Sequence, residues 1–229
     1  MQAFSQWLQQ LQFGSVFEIV SIVAASLLCI TVHETCHGLA AYMLGDDTAK
    51  RMGRLTLNPI RHIDILGLIL MAVARFGWAK PVPVDMRKFR NPKTGMALTA
   101  LAGPVSNVLL MVVAAILRIF ALAIYLRYKV PGMEYLLLFF EYTVILSAGL
   151  AVFNLFPIPP LDGSKVLFSL LPDSAYLKLM RYERFGMLLL AIILFTNVLD
   201  VPLQYLRDIL LTFADYITAP VASLIWKIM

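Results

Sequence analysis

The chain has 229 residues, of which 60% are hydrophobic and only 14% charged, with a net charge of +5 and a mean hydropathy of +0.80. A soluble domain carries about a quarter charged residues, so this composition excludes a water-soluble globule and points to an all-α polytopic membrane protein. The basic residues sit in short loops beside apolar runs, as orientation signals do, which argues against a nucleic-acid-binding surface.

At the N-terminus, Phe4, Trp7, Leu8 and Leu11 recur at helical spacing, so residues 1–13 read as an interfacial amphipathic lead-in rather than a cleavable signal. A first long helix is expected from about Val16 to Leu44, stopped by Gly45-Asp46-Asp47. A polar stretch, Thr48 to Asp64, carries Lys50, Arg51, Arg54 and Arg61. The apolar run Ile65–Ala74 is too short to span as a helix. It has basic flanks on both sides, so it should dip in without crossing. Pro81 and Pro83 then exclude a helix interior or central strand, leaving a short extended or β loop near residues 76–86.

A second long helix is expected from about Met96 to Tyr125, and Ala97–Leu117 within it holds no charged residue. An outer turn at Arg127 to Gly132 leads to a third helix, Tyr135 to Phe156, within the uncharged run Tyr142–Leu161. A short segment follows and breaks at Pro172. Phe185–Leu199 reads as a fourth span, and the tail Val201–Met229, with Arg207, Asp208 and Asp215, as a fifth span or an interfacial helix; interfacial is the reading adopted. The sum is a bundle of about four to six transmembrane helices in a single domain of residues 1–229. Within it, 14–171 form the catalytic core and 172–229 the C-terminal helices.

Two fragments carry the chemistry. In His33-Glu34-Thr35-Cys36-His37, the two histidines lie four residues apart on one helix face and can grip one ion. Glu34 is offset by about 100°, near enough to reach a water on that ion. Catalytic zinc takes three protein ligands and keeps one open position. Asp162, which closes an apolar helix and precedes Gly163, is the candidate third ligand, with Gly163 allowing a sharp turn. Ionisable groups deep in an apolar helix cost about 2–3 kcal/mol each or more when charged, a cost that metal ligation offsets. Cys29 and Cys36 would lie about 10 Å apart on a helix, too far for a disulfide, and read as packing residues.

The chain resembles the site-2 protease family of intramembrane zinc metalloproteases, in its compact form without PDZ or CBS modules. The resemblance rests on five motifs in order: His33 to His37; Gly53-Arg54-Leu55-Thr56-Leu57-Asn58-Pro59 with His62-Ile63-Asp64; Gly77-Trp78-Ala79-Lys80-Pro81-Val82-Pro83-Val84; Ala102-Gly103-Pro104 with Asn107; and Asn154 through Asp162-Gly163. It implies one zinc per chain on His33, His37 and Asp162, with Glu34 as general base and acid. It also implies that Asn154 holds the substrate backbone, although a helix-packing hydrogen bond is as good a reading of that residue. His62 reads as a solvated loop histidine, with outer-sphere, substrate or gating contacts as alternatives. The implied activity is hydrolysis of peptide bonds within transmembrane segments, in regulated intramembrane proteolysis. The partners are a substrate's transmembrane helix and the lipid bilayer. The location is the cell membrane, a prokaryotic inner membrane, with the site toward the cytosol. An extended edge near Trp78–Val84 would hold an unwound substrate strand. The rival readings are a metal-ion transporter and an inactive membrane scaffold.

Overall fold

A computed structural model describes residues 16–65, 67, 79–182 and 185–228. The N-terminal lead-in, nearly all of the run Ile65–Ala74 and residues 76–78 of the expected loop lie outside these. The described helices are α1 (Val16–Met43), α2 (Thr48–Arg51), α3 (Pro92–Tyr128), α4 (Met133–Leu155), α5 (Asp162–Ser169), α6 (Asp173–Tyr182), α7 (Gly186–Phe195) and α8 (Asp200–Ile228). Short 3-10 turns occupy Pro59–His62 and Met86–Lys88. No strand occurs among the described residues, and 79–85 run as irregular chain.

α1, α3, α4 and α8 are long and apolar enough to cross a membrane. α3 shows the pattern most clearly. Leu98, Val105, Leu109, Val113, Leu117, Phe120 and Ile124 form an exposed stripe, while Thr99, Ala100, Gly103, Ser106, Asn107, Met111 and Ala114 are buried. A water-soluble helix hides its large apolar residues and shows polar ones. Here the order is inverted, as lipid on the outside requires.

One expectation changes at the C-terminal end. α7 has 10 residues, about 15 Å of helix, and falls short of the roughly 30 Å hydrocarbon thickness, so the expected span Phe185–Leu199 does not form at that length. Asn197, in a left-handed conformation (φ 56), interrupts the chain after it. The tail forms one helix of 29 residues, as either reading of it expects, and is long and apolar enough to be a span. Its charges are partly neutralised within the helix, since Arg207 pairs with Asp208 at 2.8 Å. The candidate spans thus number four among the described residues, inside the expected range.

The chain separates into two compact units, and α1, α3 and α4 run through both. The first comprises Met1–Cys29, Asn107–Phe153 and Phe185–Met229. Its core joins Met111, Ala114 and Ala115 of α3 to Val144 and Ala148 of α4 and Ala214 of α8. Small residues let helix backbones approach closely, which supplies much of the attraction available in lipid. Cys29 is buried there with its Sγ 3.1 Å from Ser147 Oγ. Both cysteines are free thiols, consistent with a packing role.

The second unit comprises Ile30–Ser106 and Asn154–Arg184. Asp46, fully buried just beyond α1, is its polar anchor. One carboxylate oxygen accepts from the Thr48 amide (2.9 Å) and hydroxyl, and the other accepts from the Asp85 amide at 2.7 Å. Lys88 Nζ stands 3.4 Å away. Burial pushes the Asp46 carboxyl up, but these donors outweigh it and hold the group below the usual carboxylate range. Because the folded-state value is depressed, the stabilisation is complete above the ordinary value and is lost as pH falls through the depressed one. Asp46→Ala is therefore expected to cost about 2–3 kcal/mol at pH 7, by leaving buried donors unmatched. In thermal unfolding in detergent, the gap to wild type should narrow as the pH is lowered below 4.

Candidate metal centre

His33 and His37 stack one turn apart on α1, with ring centroids 4.5 Å apart and planes at 90°. Their Nε2 atoms are 2.9 Å from each other. Each is 3.1 Å from Asp162 Oδ2. Residues far apart in sequence thus form a nearly equilateral triangle of potential ligand atoms, all from buried side chains.

The hydrogen bonding of His37 bears on what fits the centre of the triangle. His37 Nδ1 is 2.7 Å from the Thr99 carbonyl. A carbonyl only accepts, so Nδ1 carries a proton, and the ring in its neutral form turns the Nε2 lone pair inward. A carboxylate oxygen and a second imidazole nitrogen meet it there, a donor set that a divalent cation matches. A tetrahedral zinc with bonds of about 2.0–2.1 Å spaces its ligands about 3.3 Å apart, close to the triangle found. The donor set therefore fits zinc, and the Thr99 carbonyl stands where an outer partner would fix His37 as a ligand.

Two glycines make this geometry possible. A Cβ on Gly103 would lie 2.5 Å from His37 Nε2 and 2.6 Å from His33 Cε1. Without one, the backbone of α3 lies open to the imidazoles, and His37 can reach Thr99. A Cβ on Gly163 would lie 2.1 Å from the Leu155 carbonyl oxygen. Gly163 is helical, in α5, so its role is close approach to the end of α4 rather than the sharp turn expected from sequence. Asp162 opens α5 beside it. Burial pushes the Asp162 carboxyl up, and the Lys165 ammonium beside it pulls it down. Lys165 Nζ lies 3.8 Å from Oδ1, the oxygen not turned to the histidines.

Glu34 stands beside the triangle with its Oε2 accepting the Val82 amide at 2.9 Å. Both belong to a cavity of about 360 Å³ that also exposes the imidazoles, Asp162, Asn154 and Lys165. Asn154 is thus brought to the site. His62 is not the solvated histidine expected: it is 2% exposed, with Nε2 2.8 Å from the Thr56 carbonyl. The short 3-10 turn Pro59–His62 ends on this residue, and the Thr56 carbonyl satisfies Nε2 while the buried Nδ1 has no partner among the described residues. The expected substrate edge has few free donors. Lys80 donates to the His62 carbonyl at 2.9 Å, Val82 to Glu34, and Pro81 and Pro83 have none.

Comparison with known proteins decides the family. The profile of Peptidase family M50 matches residues 122–196. YwhC of Bacillus subtilis (strain 168), which carries a provisional zinc metalloprotease name, is 40% identical over 182 residues, covering 76% of this chain and 80% of its own. The chain belongs to peptidase family M50. Rip2 of Mycolicibacterium smegmatis, a provisionally named zinc metalloprotease, is 25% identical over 213 residues, or 91% of this chain and 78% of its own. Rip2 of Mycobacterium tuberculosis (strain H37Rv) is 30% identical over 174 residues, or 69% and 60%. No solved structure matches the chain. M50 is the site-2 protease family that the motifs resemble, and with four apolar helices this chain is a membrane metalloprotease.

Several features of the M50 site escaped the sequence. The Thr99 carbonyl and Val82 amide are backbone groups and leave no side-chain signal. Lys165, three residues after Asp162 on a short helix, was open to inference from spacing alone. Alanine normally favours a helix over glycine by about 1 kcal/mol, but Gly103→Ala should displace both imidazoles. Zinc per chain after purification is expected to fall well below that of wild type, with the helix content from circular dichroism unchanged.

Proposed function

We propose that this chain is an intramembrane zinc metalloprotease, with one zinc per chain, that hydrolyses peptide bonds within the transmembrane segments of other membrane proteins. The observation that carries the reading is the triangle of His33, His37 and Asp162 opening, together with Glu34, on one cavity. His33, His37 and Asp162 hold the ion. When bound, zinc acts as a Lewis acid that polarises the scissile carbonyl and acidifies a water molecule.

The remaining chemistry belongs to the chain. Glu34, held by the Val82 amide, takes a proton from the attacking water and delivers it to the departing amide nitrogen. Asn154, on the cavity wall, offers its side-chain amide to the carbonyl oxygen as negative charge develops there. Thr99 keeps His37 in the tautomer that points Nε2 inward. The substrate is a transmembrane helix whose backbone groups are already paired, so the stretch to be cut unwinds before it enters. With the donors at 80–83 engaged, carbonyls of the loop near Val84 are what it presents to an unwound strand.

Localisation follows from charge. The loops 48–64 and 79–95 are basic and belong to the unit that carries the site, which supports a multi-pass protein of a bacterial cell membrane with the site toward the cytosol. Such placement suits regulated intramembrane proteolysis. Membership of a peptidase family weighs against a transporter or an inactive scaffold.

Glu34→Gln should lower cleavage of a transmembrane peptide in proteoliposomes by about 10²–10⁴-fold while zinc stays bound. Asp162→Ala should lose both zinc and cleavage, by metal analysis of the same preparations. Full cleavage by Glu34→Gln would overturn the mechanism.

A further inference from the structure

Arg54 is buried, with 7% of its surface exposed, although it belongs to a polar segment between helices. Its Nη2 donates to two consecutive carbonyls, Lys80 O at 2.8 Å and Pro81 O at 3.3 Å, while its Nε finds no acceptor. A desolvated guanidinium that spends its donors on main-chain oxygens is a costly arrangement, and those oxygens lie in the stretch that reaches Glu34.

The connection runs through a single peptide group. The carbonyl of Pro81 and the amide of Val82 belong to the same planar unit, with oxygen and hydrogen on opposite sides of a trans bond. Arg54 holds the oxygen end, and Glu34 Oε2 accepts from the hydrogen end at 2.9 Å. Guanidinium, peptide dipole and carboxylate follow one another in the order in which each polarises the next. No other residue of 81–83 has an amide hydrogen to offer. The neighbouring bonds brace the same stretch: Lys80 donates to the His62 carbonyl (2.9 Å), and His62 and Thr35 both bond the Thr56 carbonyl at 2.8 Å. Thr35 follows Glu34 on α1, so the brace closes on the helix that carries the carboxylate.

We infer that Arg54 is a positioning residue for Glu34, fixing the direction of its carboxylate through the Pro81–Val82 peptide. This rests on Glu34 being the general base. The role requires the planar fork of arginine, whose donors hold a fixed geometry that a lysine ammonium lacks. Arg54 does not touch zinc or substrate, so its loss should leave binding of both in place and slow only the step in which Glu34 moves a proton.

The test is a double-mutant cycle on the full-length protein in proteoliposomes, with Arg54→Lys, Val82→Pro and the pair, and the exposed Arg51→Gln as control. Each single variant is expected to lower kcat by roughly 10- to 100-fold, the range for a misplaced catalytic group, with KM within about twofold and zinc content unchanged. The pair should be no slower than the slower single variant, because both break one chain of contacts. Effects that multiply, a change confined to KM, or an Arg54→Lys protein that loses zinc or fails to fold would each overturn the inference. Should Val82→Pro alone fail to fold, the kcat and KM of Arg54→Lys decide: a lowered kcat at unchanged KM and zinc supports it, and any other result overturns it. A Glu34→Gln variant run beside them separates the two layers. If it keeps full activity, the proposed mechanism fails, whereas if it is inactive and the cycle is multiplicative, only the role of Arg54 fails.

Discussion

Three potential metal-ligand atoms are held at hydrogen-bonding distance from one another inside an apolar protein, and the supports of the second unit gather around them. Two imidazole nitrogens and a carboxylate oxygen gather within 3.1 Å of each other. The fold brings the three together through separate supports. A helix turn sets the His33–His37 spacing, a carbonyl of α3 fixes one tautomer, and the start of α5 supplies the carboxylate.

Close approach of backbones is the second constraint, and glycine satisfies it in two different places. At Gly103 the absent Cβ leaves room for imidazole rings against a helix. At Gly163 it leaves room for a carbonyl of the preceding helix end. The alanines around Met111 and Val144 serve the same purpose in the first unit. Lipid offers no hydrophobic drive between helices, so contact comes from tight packing of small residues, and the large side chains are left to face outward along the stripe from Leu98 to Ile124.

The polar segments on either side of the undescribed run are organised rather than loose. Asp46 ties the end of α1 to the amide of Asp85, and Arg54 ties the second motif to Lys80 and Pro81. Both contacts end in the stretch 80–85, whose Val82 amide meets Glu34. Charged side chains here hold backbone groups in place, a use in which a carboxylate or guanidinium matches several fixed donors or acceptors at once. A loop rich in proline needs that external support because it has few hydrogen bonds of its own.

The sequence by itself determined the membrane character and the three long helices as far as α4, because these depend on composition, uncharged length and helical spacing, and it singled out His33, Glu34, His37 and Asp162 as candidates. Each is local or additive and survives without knowledge of the fold. The sequence misread the length of α7, since the break after it turns on one left-handed residue, Asn197. It also misread His62, whose burial and bond to the Thr56 carbonyl spacing does not reveal. The expected meeting of residue 162 with residues 33 and 37 is present in the fold; tertiary structure alone decided that Thr99 and Val82 orient the site through backbone atoms, and that Arg54 stands behind Glu34. Thr99 and Val82 act through groups every residue carries, and Arg54 acts on such groups, so no side-chain pattern announces these non-local contacts before the chain is folded.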